Sequence, residues 1–260
     1  MTRPIRIAVQ LQPQHAQYTA IRDAVLRCEE GGADIVFNWD HFYPLYGEPE
    51  GLHFECWTML GAWAEQTERV EFGALVTGGG YRNPELLANM ASTIDHISGG
   101  RFILGIGGGW FKKDYEEYGY EFGTAGSRLR LLAENLDRIE SRLAKLNPPP
   151  TRDIPILIGG GGEKKTLRQV AEHGDIWHSF SDLATYQRKV GILADHCGDV
   201  GRDPAEIEHS TDIGRLVESS ANALADAGVS LFTIGVGGPN YDVASKLAKW
   251  TRWRDARNAG

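Results

Sequence analysis

Short apolar runs alternate with stretches of helical periodicity from one end of the chain to the other. Strand-like runs fall at Ile5–Leu11, Asp34–Asp40, Val70–Thr77, Arg101–Gly107, Ile154–Ile158, Asp175–Phe180, Glu208–Ile213 and Ser230–Val236. Helical patterns follow them at Ala20–Glu30, at Phe54–Glu68, from near Pro84, at Ser127–Leu146, from Glu163, and at Asp182–Cys197, Leu216–Ala227 and Tyr241–Arg257. Gly31, Gly32 and Gly228 stop two of these helices, and Pro84 occupies a first-turn position where its missing N–H costs little. Most strands are continuous apolar runs rather than alternating ones, as in a parallel sheet covered by helices. Eight strands and eight helices in strict alternation over 260 residues predict an α/β fold, a single (β/α)8 TIM barrel domain spanning residues 1–260. Asn147–Thr151 (NPPPT) then reads as a stiff connection rather than a domain linker, because neither half alone closes a core.

In such a barrel, chemistry sits on the loops after the carboxyl ends of the strands. Gln10 and Gln12 follow the first strand, Asn38–Pro44 (NWDHFYP) the second, Thr77–Asn83 (TGGGYRN) the third and Gly107–Trp110 (GGGW) the fourth. His178 and Ser179 end the sixth. After the fifth come four consecutive glycines, Gly159 to Gly162, and then a helical pattern. Glycines there let backbone N–H groups close on a bound group at the positive end of a helix. Thr166 adds a hydroxyl and Lys164 and Lys165 add charge, so the segment reads as a phosphate seat for a cofactor; a plain tight βα turn is the alternative. His41 is the candidate for proton transfer, since histidine titrates near neutrality; a structural loop histidine is the alternative. Asp40 adjoins it, but neighbours on a strand point to opposite faces, so Asp40 need not hold the ring. Trp39 and Trp110 fall where they could wall a flat aromatic ligand. His178 fits a buried ring within the sixth strand equally well.

Charge and composition narrow the partners. A formal net charge of −8 argues against nucleic acid or an anionic membrane surface. No apolar run approaches bilayer length, and the first residues lack a signal-peptide pattern. Cys28, Cys56 and Cys197 are scattered and odd in number, matching neither a disulfide framework nor a metal knuckle, so a cytoplasmic location is expected. No HExxH, carboxylate cluster, P-loop or GxSxG is present, and no metal is expected.

The segments WDHFYPL (39–45), YRNPELLANMASTIDHISGGRFILGIGGGWFKKDYEEYG (81–119), FGTAGSRL (122–129) and IPILIGGGGEKKTLRQVAEHGDIWH (154–178) together resemble the luciferase-like monooxygenase superfamily, most of all its branch dependent on the deazaflavin coenzyme F420. The resemblance implies a luciferase-like barrel and hydride transfer between F420 and a small organic substrate. It places His41 by the reactive ring carbon, and a non-prolyl cis peptide at Leu75–Val76. Phosphate contacts would come from Gly161, Gly162, the Glu163 backbone and Thr166, with Gly160 a further cofactor neighbour. Asn38, Asp40, Thr77, Gly107, Gly108, Gly109 and Ser179 join Leu75 and Val76 as expected cofactor neighbours, and Trp39, Tyr43 and Trp110 as the expected substrate side. FMN is the alternative cofactor, with monooxygenase chemistry, and a non-catalytic flavin-binding protein is a further alternative. Bacterial luciferase has a phosphate-binding arginine where this chain has Gly108, which weakens the FMN reading. The deazaflavin-dependent sugar-phosphate dehydrogenase has a glutamate near Trp110, so that reaction is not expected. Relatives are often dimers, and a homodimer is expected.

Overall fold

Strand segments and helices alternate through the computed structural model, which describes residues 3–214 and 216–260. The strands are β1 (Arg6–Gln12), β2 (Ile35–Asn38), β3 (Glu71–Ala74), β4 (Thr77–Gly78), β5 (Phe102–Gly107), β6 (Ile156–Gly159), β7 (Ile176–His178), β8 (Glu208–Asp212) and β9 (Val229–Gly237). The helices are α1 (Tyr18–Glu30), α2 (Cys56–Gln66), α3 (Pro84–Ser98), α4 (Lys112–Glu117), α5 (Ala125–Leu143), α6 (Thr166–His173), α7 (Leu183–Val200), α8 (Glu218–Asp226) and α9 (Val243–Ala259). Strand order is β3-β2-β1-β9-β8-β7-β6-β5-β4, and β5 also pairs with β3, so the sheet closes. Every pairing is parallel. β3 and β4 are successive pieces of one stave, which leaves an eight-stave barrel with helices outside, the predicted TIM-barrel fold.

Side chains alternate across each strand, so one set packs under the helices and the other fills the barrel. The inner set holds Ala8, Ile35, Phe37, Leu75, Ile103, Leu157, Ile176 and Leu231. Below it, at the amino end, charge replaces hydrocarbon. Arg6 bridges Glu71 at 2.6 Å and also pairs with Glu208, while Arg152 reaches Glu71 at 2.9 Å and Ser230 donates to Glu208 at 3.2 Å. Partly buried charges of both signs, with Glu208 buried, pair with one another and plug that end of the barrel.

Three expectations change in detail. The third strand, read as one run over Val70–Thr77, is interrupted at Leu75–Val76, whose peptide is cis. The sixth helix starts at Thr166 rather than Glu163, because the glycine turn continues through Lys165: Glu163 is drawn outward to Arg188 and its carbonyl accepts from His196 Nε2 at 2.8 Å. α4 has no counterpart among the predicted helices, since six residues carry too little periodicity to register. Glu208–Asp212, the least apolar strand, pairs in the sheet on both sides.

Candidate active site

The carboxyl ends of the strands open on a cavity of about 640 Å³. Its walls follow from how each strand ends. β2 delivers Trp39, Asp40 and His41, and their fates differ. The Asp40 carboxylate is buried and clamped by Arg82 at 2.5 and 3.2 Å. Burial pushes its carboxyl up from the ordinary range, and the Arg82 guanidinium opposes that shift. Arg82 also reaches Glu55 at 2.6 Å, and Glu55 caps α2 by accepting from the Trp57 and Thr58 amides at 3.1 and 2.6 Å. Thr77 Oγ1 accepts from Trp57 Nε1 at 2.7 Å. This wall is therefore a cross-braced unit rather than a set of free polar groups.

His41 is held from another direction. Its Nδ1 lies 2.6 Å from Asp114 Oδ2, which also accepts from Tyr81 Oη at 2.9 Å, while Asp114 Oδ1 accepts from the Phe42 amide at 3.1 Å. Trp39, Trp110 and Phe111 set their rings edge-on around the imidazole, with centroids 6.3, 5.8 and 5.5 Å away. A carboxylate fixed by three donors leaves Nε2 as the ring nitrogen available to the cavity. Nearby His53 accepts from Trp39 Nε1 at 3.1 Å and is kept neutral by burial, which brings its pKa down to about 4.

The opposite wall is backbone. Gly107, Gly108 and Gly109 end β5, and Gly159, Gly160 and Gly161 end β6. A side chain at Gly107 or Gly159 would press on Val76, at 2.8 and 2.9 Å, and Gly160 has φ +136, open only to glycine. A Cβ at Gly161 would fall on Nζ of Lys189, which reaches across from α7. Lys189 lines the cavity and has no hydrogen-bond or ion-pair partner among the described residues. Arg128, on the same side, donates only to the carbonyls of Gly109 (3.0 Å) and Phe122 (2.9 Å) and lies 3.9 Å over the Phe122 ring. Lys189, without a carboxylate partner among the described residues, thus faces the glycine turn, and Arg128 adds a second cation to the cavity wall.

Most of the sequence-derived candidates meet here. Trp39, Asp40, His41, Leu75, Val76, Thr77, Gly107, Gly108, Gly109, Trp110, Gly160, Gly161, Thr166 and Ser179 all line the cavity. Four do not line it. Asn38 packs behind, donating to Cys56 O at 3.2 Å and accepting from Cys56 Sγ at 3.0 Å. Glu163 faces Arg188, and Gly162 lies behind the turn with Thr166 Oγ1 beside it. Tyr43 sits outside the cavity wall with Lys113 Nζ 4.0 Å over its ring. Asp114, Tyr81, Arg128 and Lys189 were not singled out beforehand. Asp114 lies in a charged run, KKDYEE, that reads as a solvated face; only its placement in the first turn of a helix hints at a fixed role. Among the described residues there is no cluster of three potential metal ligands, and no helix is long and apolar enough to cross a membrane.

A closed parallel barrel with a glycine-walled cavity at its carboxyl end and a carboxylate-backed histidine in that wall defines an α/β barrel with a candidate ligand site. The chain belongs to the luciferase-like monooxygenase family, whose sequence pattern matches residues 2–257. It is 29% identical over 209 residues to a phthiodiolone/phenolphthiodiolone dimycocerosates ketoreductase of Mycobacterium bovis, covering 72% of this chain and 55% of the relative. An uncharacterized protein of Mycobacterium tuberculosis is 27% identical over 161 residues, 56% of this chain and 57% of its own length. The matches thus span little more than half the length of these curated relatives. Among solved structures, an F420-dependent secondary alcohol dehydrogenase in complex with an F420-acetone adduct superposes with a TM-score of 0.82 at 16% identity, covering 96% of this chain and 98% of the other. The coenzyme F420 dependent tetrahydromethanopterin reductase from Methanopyrus kandleri gives 0.74 at 16% identity, with 95% and 97% covered. At such identities the likeness is one of fold.

Proposed function

We propose that this protein is an F420-dependent oxidoreductase acting on a small ketone or secondary alcohol. The observation that carries the reading is the placement of a carboxylate-backed histidine and an unpaired-cation glycine turn in one cavity. The residues fit the cofactor: a cradle at Gly159–Gly161 that side chains would fill, and a cation aimed at it, suit a phosphate. The Gly161 amide, the Thr166 hydroxyl and Lys189 would hold that phosphate, with Arg128 adding charge. The flat deazaflavin, when bound, supplies the carbon that accepts or gives the hydride. His41 Nε2 would give or take the proton at the substrate oxygen, with Asp114 stabilising the imidazolium. Trp39, Trp110 and Phe111 limit water around that nitrogen. The carbonyl–alcohol assignment draws on the ketoreductase and alcohol dehydrogenase relatives.

Lys189 favours a second reading as well, because a lysine at the phosphate seat could replace the arginine absent at Gly108 and serve FMN. Equilibrium binding of F420 and of FMN, each oxidised and reduced, separates the two. Tight F420 binding with weak FMN binding supports the deazaflavin enzyme; the reverse order moves the protein to reduced-flavin and oxygen chemistry. Binding of neither removes both readings.

A further inference from the structure

A second imidazole stands across the cavity from His41 and has no part in the reading above. His178 closes β7, the sixth stave of the ring when β3 and β4 are counted as one, and His41 follows β2, the second. Three staves lie between them in either direction, so the two rings meet a bound molecule from opposite sides. His178 alternates inward with Ile176, which belongs to the barrel interior. Its Nδ1 lies 2.8 Å from Ser210 Oγ, and its ring meets Phe180 edge-on at 5.2 Å. The other nitrogen, Nε2, has no partner among the described residues, although the residue is only 3% exposed and lines the cavity.

Buried polar atoms are ordinarily satisfied, and one left open in a ligand cavity marks a place where the ligand completes the bond. His209 is an instructive contrast. Its Nε2 is also unpartnered, but its Nδ1 faces Tyr186 Oη at 2.6 Å and its ring packs on Trp177, on the helix side and away from the cavity. The partners of the two cavity histidines set their chemistry apart. His41 leans on a carboxylate. His178 leans on a serine hydroxyl, and burial alone brings its pKa down to about 4, so it meets a ligand as a neutral ring. A neutral imidazole nitrogen donates or accepts one hydrogen bond, according to its tautomer, and needs no charged partner.

We propose that His178 Nε2 hydrogen-bonds an uncharged carbonyl or hydroxyl group of the molecule bound in the cavity, so that His41 handles the proton and His178 sets position from the far side. The inference rests on the oxidoreductase reading. The group has two possible sources, the cofactor and the second reactant, and the same experiment separates them. The full chain, labelled with 15N-histidine, is followed by NMR as F420 is added, and then as acetone or 2-propanol is added to the F420 complex. A His178 Nε2 resonance that moves with F420 assigns the bond to the cofactor; one that moves only with acetone or 2-propanol assigns it to the second reactant. His209 serves as the resonance that stays. His178→Phe weakens the corresponding affinity about tenfold and His178→Gln restores part of it, as expected for one lost hydrogen bond. If F420 binds while His178 moves with none of the three molecules and His178→Phe binds them like the wild type, the proposal is overturned and the cofactor assignment stands. If the wild type binds neither F420 nor FMN, the proposal falls together with the reading beneath it. The NMR arm uses the wild-type chain and does not depend on either variant folding.

Discussion

His41 touches one carboxylate and three aromatic edges, and the division of labour among them decides what its replacement does. Asp114 orients the ring, whereas the proposed phosphate seat lies across the cavity at Gly161 and Lys189. His41→Ala should therefore leave the F420 dissociation constant within a few-fold and lower turnover by about 10²–10⁴, the usual worth of a general acid or base; steady-state rates with 2-propanol or acetone beside fluorescence titration would show the split. Lys189→Met should do the opposite, weakening F420 and FMN about tenfold while sparing riboflavin and the phosphate-free deazaflavin, as befits one charge-assisted contact. Equal losses on the phosphate-free ligands would remove Lys189 from the seat. Asp40 carries a different kind of consequence. With its carboxylate at zero side-chain exposure, Arg82→Met strands a buried charge and should cost about 3–5 kcal/mol in urea unfolding. Adding Asp40→Asn should recover much of that loss, because the stranded charge disappears.

Backbone proximity governs the elements. Where β3 meets β5 the two strands pack without intervening side chains, and a Cβ at Gly105 would collide with the Ala74 carbonyl oxygen. Gly105→Ala should therefore abolish the folded barrel, seen as loss of soluble protein and cooperative melting. Gly61 lies within α2, where nothing is within 4 Å of an added Cβ, so Gly61→Ala should raise stability by about 0.5–1 kcal/mol. The same two kinds of environment explain what the chain reveals on reading. Continuous apolar runs such as Phe102–Gly107 and the helix stop at Gly31 announce a parallel barrel, because periodicity and punctuation are local properties. The strand-end residues follow once the barrel is known, which is how His41, Thr77 and the Gly159–Gly161 turn can be picked out. Partners brought from afar are not legible. Asp114 is 73 residues from His41, and Lys189 projects from a helix whose sequence shows only an amphipathic face. Asn38 misleads for the same reason: its side chain is used by Cys56, a contact that exists only after folding.

At the scale of the whole molecule, acid is the expected weakness. Burial brings the pKa values of His53, His178 and His209 down to about 4 in the folded protein. The unfolded chain titrates its histidines near 6.5, so between about pH 6.5 and 4 the unfolded state binds protons that the folded state refuses. Stability from these three is complete above about pH 6.5 and declines as pH falls through that window. Each histidine contributes up to about 1.4 kcal/mol per pH unit. Urea midpoints measured from pH 7 to 4.5 should fall steadily, and His209→Gln, outside the cavity, should flatten the slope. An unchanged midpoint over that range would contradict the burial of all three.

The charged plug of Arg6, Glu71, Arg152 and Glu208 gives the barrel a floor. With that end plugged, the cavity opens at the carboxyl face. Under the oxidoreductase reading proposed above, cofactor and second reactant would enter by that face, and the one lying deeper would arrive first and depart last. The exposed rings of Trp110 and Phe180, standing at that opening, are then the first surface an arriving reactant meets and the last a departing product leaves.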